Sequence, residues 1–484
     1  MLCIFRRAFT RFCQGCGVMF QHVDANQEGF IPENKYKNTL TQNFKVKNIL
    51  EEIKQTEDIK LKDFKPKRPK KIQNDVKFEE IDEIDEIEER VKTAVPLREY
   101  QQRPKIKPII CMRCFKISKY GTLPEVSCAI DTKTPINSLK EIFEPIKHYS
   151  IIIKVVDIID FNGSFIKEVY DLASDKKCHL ILVLNKFDAL PVGAKETRIF
   201  QWAVNSTRGL ISEQNICAVS SRTGFGFDKV IKLLRQLTEK IDRKIYVIGA
   251  TNSGKSSFIN KLSEQCWNLP MEKYKKPSFE LTTSSFPGTT LSPIEVPLKS
   301  LGVRIIDTPG IPTFSQVTFK IPPEDAKMLI PNKKINPIVL TATEEFSFWI
   351  GAMARIELIE GDFKYLTFFV SQNTSVHKTK RELGLDVYDR QAGKLLWPKY
   401  DGEVEWIKHE AEVYCVANKR AARDIVIHGL GWVSVTGLGR AKFDIYLAKG
   451  VGFNMRDPLM PYEASPDKVA YNKGRTFNSN PNRK

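Results

Sequence analysis

Residues 249–256 read GATNSGKS and residues 307–310 read DTPG. The first stretch fits G-x-x-x-x-G-K-[ST], a loop whose backbone N–H groups wrap a phosphate chain because Gly249 and Gly254 allow the tight path. The helix it opens would add the favourable end of its dipole. Lys255 is the candidate partner of the β- and γ-phosphates. Ser253, Ser256 and Ser257 complete the candidate nucleotide-binding set of the loop, with Ser256 also the first candidate Mg²⁺ ligand. Asp307 stands in the place of the Walker-B acid, holding Mg²⁺ through a water, and Gly310 can offer its N–H to a γ-phosphate. Between the two motifs lies FPGTT (286–290), whose Thr290 is the candidate second hydroxyl ligand when a γ-phosphate is bound. Alone, PGTT would be an ordinary turn.

Base choice points to NKFD at 185–188. Asn185 can bond the six-position oxygen or N7 of a purine, and Lys186 can lay its stem along the ring. Asp188 can accept two bonds from guanine N1–H and N2–H₂, a pair adenine does not offer. An unpaired buried carboxylate would penalise the wrong base strongly. SSRTGFG follows at 220–226, so Ser220 and Ser221 match a loop whose backbone N–H reads the guanine oxygen.

These five GTPase elements occur in the order fourth, fifth, first, second, third. Strands adjacent in a sheet can be cut and rejoined elsewhere when the old termini lie close. The order therefore predicts a complete but circularly permuted site, in which the DTPG loop leads almost directly into the C-terminal region. Nucleotide state could pass to that region through the connector. Where other GTPases place a water-orienting Gln after this motif, Ile311 stands here. Asn252 suits a turn. In GTPases of similar pattern, Asn at this position helps bind K⁺ beside the phosphates, so slow, K⁺-stimulated hydrolysis is expected, with Lys255, Asn252 and Thr290 as candidate catalytic residues.

Cys13-x-x-Cys16 and Cys111-x-x-Cys114 form a candidate Cys₄ Zn²⁺ site. Closing the long loop between them costs little more than closing a shorter one, and metal binding can outweigh that cost. A redox role is the rival, but neither pair lies between a strand and a helix of a thioredoxin-like unit. The remaining cysteines are expected in the core or to be incidental.

The elements that must position these residues follow from hydrophobic pattern. IIIKVVDIID (151–160) and HLILVLNKFD (179–188) read as buried strands. Strand and helix alternate from 136 to 318, which implies a parallel sheet with helices on both faces, an α/β fold. The remaining expectations are a targeting segment (1–12, MLCIFRRAFTRF), a zinc module (13–121) with a flexible charged insertion (35–108), a C-terminal α+β domain (319–464) and a disordered tail (465–484). Within the C-terminal domain, 355–371 reads as a hairpin turned at Gly-Asp and 375–395 as helical. Residues 424–453 read as about three antiparallel strands. No apolar run is long enough to cross a bilayer. The net charge of +17 over 484 residues favours a polyanionic partner, nucleic acid or an anionic membrane surface. Candidate RNA contacts are His377, Lys378, Lys380, Arg381, Lys419, Arg420 and Arg423. Trp432 could stack on a base, although a core role suits it better.

The stretches CQGCGVMFQ, CMRCFKISKYG, VVDIIDFNGS, NKFD, GATNSGKSSFIN, FPGTTL, DTPGI, FVSQNTSVHKTK and DIVIHGLGWVSV resemble the YqeH group of circularly permuted GTPases, especially its mitochondrial nitric-oxide-associated branch. The resemblance implies a GTPase of the mitochondrial matrix that assists small ribosomal subunit assembly and so supports translation and respiration. Ribosomal RNA or a pre-ribosomal particle would be its partner. Nothing in the sequence offers a haem, flavin or oxygenase site, so nitric-oxide synthesis is not expected. The alternative is a guanine-nucleotide-binding scaffold for a protein or the inner-membrane surface, with negligible turnover.

Overall fold

The computed structural model describes residues 12–25, 27–39, 109–120, 135–238, 244–267, 281, 290–298 and 301–460. The expected targeting segment (except Phe12), the tail and most of the charged insertion lie outside them. The insertion's first residues belong to a helix over 33–39.

The chain divides into two compact units, residues 1–14 with 19–113, and residues 15–18 with 114–484. In the first, short bridges pair Phe12 with Met19 and Gln21 with Phe30. Met112 N donates to Phe30 O at 2.8 Å.

Among the described residues, the second unit contains two sheets. The first has six strands in the order β3-β2-β1-β4-β6-β5. They are β1 (Ile151–Asp157), β2 (His179–Asn185), β3 (Ile216–Ala218), β4 (Ile245–Ile248), β5 (Ile294–Leu298) and β6 (Val303–Asp307). All neighbours are parallel except β5 and β6. β1 and β4 are buried almost throughout, as parallel strands covered on both faces must be. Register does the positioning. Asp157 pairs with Asn185 across β1 and β2, and Val247 with Asp307 across β4 and β6. The carboxyl ends of four strands thus bring Asp157, Asn185, Gly249 and Asp307 to one edge, where open α/β sheets bind ligands.

The second sheet has eight strands, built from β7 (Ile338–Ala342), β8 (Phe346–Ile350), β9 (Ala354–Glu360), β10 (Lys364–Val370), β11 (Val376–Lys380), β12 (Trp406–Ile427), β13 (Gly431–Ala448) and β14 (Phe453–Arg456). β13 is its spine. One side pairs with β12 along its length. The other side takes β10 at its start and β9 at its end, both antiparallel. The expected β9–β10 hairpin is therefore wrong. The two strands run on in the same direction, because Gly361 and Asp362 jog the chain without reversing it. The expected helix over 375–395 is also partly wrong. Val376–Lys380 is an edge strand on β8, and only Gly384–Gln391 is an α-helix. The strands expected in 424–453 are there, as the end of β12, β13 and the start of β14.

The two sheets share a core. Phe161, Trp202 and Leu184 pack with Phe369, Val426, Trp432 and Leu459. Polar bonds fix the seam: Trp202 Nε1 donates to Asp457 O at 2.9 Å and Arg456 Nη1 to Asn162 Oδ1 at 3.2 Å.

Candidate functional site

The loop 249–256 leaves β4 and opens the helix Lys255–Trp267. Asn252 holds φ 60°, a left-handed conformation that Asn tolerates. Gly254 (φ +87°) has a second reason to be glycine. A Cβ there would lie 2.4 Å from Asn185 Nδ2. That asparagine donates from Nδ2 to Ser253 O at 3.0 Å, and its Oδ1 accepts from Ser221 N (3.2 Å) and Ser221 Oγ (2.9 Å). Asn185 therefore laces the phosphate loop to the SSRTG loop.

Ser256 Oγ donates to Asp307 Oδ2 at 3.1 Å and Thr290 Oγ1 donates to the same oxygen at 3.2 Å. The two hydroxyl oxygens lie 3.4 Å apart. Asp307 Oδ1 is buried and has no hydrogen-bond partner among the described residues. Two hydroxyls and a carboxylate with a spare oxygen fit the all-oxygen coordination of a hard cation such as Mg²⁺. Lys255 is buried, and its Nζ donates to Ala250 O at 2.9 Å. Burial lowers its pKa to about 8 against the pull of Asp307. Burial raises Asp307 to about 6, opposed first by Lys255 and then by the two hydroxyls.

At the base end, Asp188 Oδ2 meets Arg222 Nη2 at 2.7 Å. Arg222 also donates to Asn332 O at 2.5 Å. Lys186, at φ 64°, ion-pairs with Asp157 at 2.5 Å. The backbone N–H groups of Ser220 and Ser221 do not stand open as expected. Ser220 N donates to Phe225 O (3.0 Å) and Ser221 N to Asn185. These serines shape the loop and orient Asn185. The sequence reading missed Arg222 and Asp157. Arg222 sits inside the recognised SSRTG motif, but a lone arginine in a loop gives no signal of its own.

The Sγ atoms of Cys13, Cys16, Cys111 and Cys114 all lie within 4.8 Å of one another, and all four residues are buried. Cys111 N donates to Cys13 Sγ at 3.2 Å. A tetrahedral zinc with Zn–S bonds of about 2.3 Å needs sulfurs about 3.8 Å apart, so the cluster is compatible with a zinc module. Cys217, Cys266 and Cys415 are core residues.

The candidate RNA contacts fare unevenly. Trp432 is fully buried and stacks on Phe369 at 4.7 Å, which assigns it to the core. Lys378 donates to Thr341 O and lies over Phe346, His377 is partly buried, and Arg381 and Arg423 pair with Glu357 and Asp457. Lys380 and Arg420 are exposed. The side chain of Lys419 lies outside those described.

Strand order and motif order together define a class. This is a P-loop GTPase domain, circularly permuted, joined to a β-rich C-terminal domain and preceded by a Cys₄ cluster. Comparison with known proteins agrees. A family model described as 50S ribosome-binding GTPase matches residues 244–342 and one described as YqeH-like, C-terminal matches 364–459. The uncharacterized protein YqeH of Bacillus subtilis is 32% identical over 354 residues, covering 73% of this chain and 91% of that protein. NO-associated protein 1, chloroplastic/mitochondrial, of Arabidopsis thaliana is 26% identical over 70% of this chain and 66% of its own length. Human nitric oxide-associated protein 1 is 24% identical over 41% of this chain and 31% of its own. The chain belongs to the YqeH family, with the nitric-oxide-associated proteins among its relatives.

Proposed function

We propose that this protein is a GTP-hydrolysing switch that acts on a ribosomal particle, and more finely on assembly of the mitochondrial small subunit. The observation that carries the switch reading is the convergence of Ser256, Thr290 and Asp307 on one locus beside buried Lys255. In this reading those three residues hold Mg²⁺, Lys255 and the N–H groups of 249–257 and Gly310 hold the phosphates, and Asp188 reads guanine. Asn252, bent into the left-handed region beside the phosphate path, would help hold K⁺. The relatives' printed names support an organellar address. The +17 net charge supports a polyanionic partner. The four cysteines would hold a structural Zn²⁺. No described helix is long and apolar enough to cross a membrane.

The second reading, a nucleotide-binding scaffold with negligible turnover, rests on Ile311. Its side chain is buried and its backbone N–H donates to Gly249 O at 3.1 Å, so it orients no water. Single-turnover hydrolysis in K⁺ against Na⁺ separates the two. The switch reading expects clear K⁺ stimulation that Asn252→Ala removes, and no turnover in either salt favours the scaffold. Sedimentation with mitochondrial ribosomal particles then tests the partner. Co-migration with small-subunit particles only with a GTP analogue is expected, and co-migration with the large subunit or with neither would overturn that finer assignment.

A further inference from the structure

The backbone just after Thr290 is not held by the GTPase sheet alone. Leu291 N and Ser292 N both donate to Cys16 O, at 3.0 and 3.1 Å. A carbonyl has two lone pairs, and both are spent on this segment. The Leu291 N–H belongs to the peptide that joins Thr290 to Leu291. That peptide is planar, so fixing its N–H fixes the plane containing the Thr290 Cα. The next residue of the knuckle, Gly17, has φ +79°, and a Cβ there would lie 2.6 Å from Ser292 O and 3.0 Å from Ile294 Cγ1. Only glycine lets the knuckle approach so closely. Ile294 in turn is the cross-strand partner of Asp307. The knuckle therefore touches both neighbours of the Ser256–Thr290–Asp307 locus. It grips the peptide after Thr290 and the residue paired with Asp307.

We propose that Cys16 and Gly17 are positioning residues for Thr290: the turn that presents Cys16 Sγ to the cysteine cluster holds, through its carbonyl, the hydroxyl that completes the Mg²⁺ locus. Metal loading of the cysteines and binding of Mg·GTP then favour each other, since coupling between two sites is reciprocal. The inference rests on the reading of Thr290 as a Mg²⁺ ligand given above.

The test uses the full-length zinc-loaded protein, a fluorescent non-hydrolysable GTP analogue, and GDP, each with and without Mg²⁺. Gly17→Ala should keep its zinc, measured with a chromogenic chelator after thiol modification. It should lose about five- to tenfold of the Mg²⁺-dependent affinity for the GTP analogue, at the lower end of inter-site coupling, with GDP affinity little changed. Gly302→Ala is the control, because Gly302 has φ +66° with nothing within 4 Å of a Cβ and shares only the backbone strain. It should bind as the parent does. Thr290→Ala tests the underlying reading. If it leaves Mg²⁺ dependence intact, the Mg²⁺ assignment fails and the clamp with it. If it abolishes that dependence while zinc-replete Gly17→Ala binds normally, the clamp alone fails. A second readout needs no variant: the rate of zinc transfer to the chelator should fall when Mg·GTP analogue replaces GDP, and equal rates would overturn the coupling.

Discussion

A carboxylate that reads guanine must be open on the side from which the base enters, yet Asp188 is engaged by Arg222 at 2.7 Å. The guanidinium is half exposed, so the pair is a surface-type interaction of about 0.2–1 kcal/mol. That is too weak to block a nucleotide but large enough to tax its binding, because the pair stabilises the empty site. Arg222→Ala should therefore tighten GTP and GDP by up to about fivefold, the affinity equivalent of that energy. Preference over ATP should survive, because Asp188 is untouched. Competition titrations with labelled GDP measure both. Weaker binding in the variant would instead place Arg222 among the groups that support the bound base. The same residue marks a limit of sequence reading. NKFD and GATNSGKS were legible because backbone geometry and base chemistry restrict each position. The pairing of Arg222 with Asp188, and of Lys186 with Asp157, depends on which side chains the loops and the strand register set side by side.

At the scale of the element, β1 carries an oddity that its hydrophobic pattern conceals. Lys154 lies fully buried within IIIKVVD. Its Nζ donates to Ile166 O at 2.5 Å and sits 3.4 Å from the centre of the Phe165 ring. Burial brings its pKa down to about 7 from an ordinary 10.5, with Glu168 and Asp171 opposing the shift. Between about pH 7 and 10.5 the unfolded chain holds the proton and the folded chain does not, so stability rises with pH across that window. Below 7 both states are protonated and the burial penalty stands in full. Lys154→Met keeps length and volume while removing the charge. It should stabilise the protein by about 1–4 kcal/mol near neutrality and flatten the pH slope, as urea unfolding at several pH values would show. An unchanged slope would mean another group sets it. The alternation of strand and helix around β1 was legible because parallel buried strands announce themselves as unbroken apolar runs. The C-terminal sheet was less so. Gly361-Asp362 has the composition of a reversing turn, but β9 and β10 both pair with the same side of β13, a strand some 70 residues later in the chain. Local propensity carries no information about such a partner. Val376–Lys380 misled for a related reason, since its lysines suit a helix but its backbone completes an edge beside β8.

For the whole molecule, permutation matters because of where the DTPG loop delivers the chain. Ile311 pairs with the phosphate loop through Ile311 N to Gly249 O (3.1 Å) and Thr251 N to Ile311 O (2.9 Å). Four residues later the connector is stitched into the C-terminal domain. Gly452 N donates to Ser315 O and Val317 N to His428 O, both at 2.9 Å. Gln316 Nε2 reaches back 2.8 Å to Asp160 Oδ2, which also accepts from Gly429 N at 2.9 Å. Asp160, beyond the end of β1, is buried, and burial raises its pKa against the pull of His428 and the hydrogen bonds it accepts. One carboxylate thus joins the GTPase sheet, the connector and the loop that precedes β13. A segment shared by two domains can transmit state only if both ends bias it, and this one has defined partners at both. Comparing GTP-analogue with GDP complexes, hydrogen exchange at 428–431 and 452 should change together with that of 308–317. Gln316→Leu removes the side-chain stitch and leaves the backbone bonds, so it should shrink the response at 428–431 while leaving nucleotide affinity within about twofold, since the Gln316 amide is spent on Asp160 and Gly163. If the C-terminal loop responds fully in that variant, the message travels through the backbone pairing of Ser315 and Val317 and the carboxylate serves only to fasten the domains.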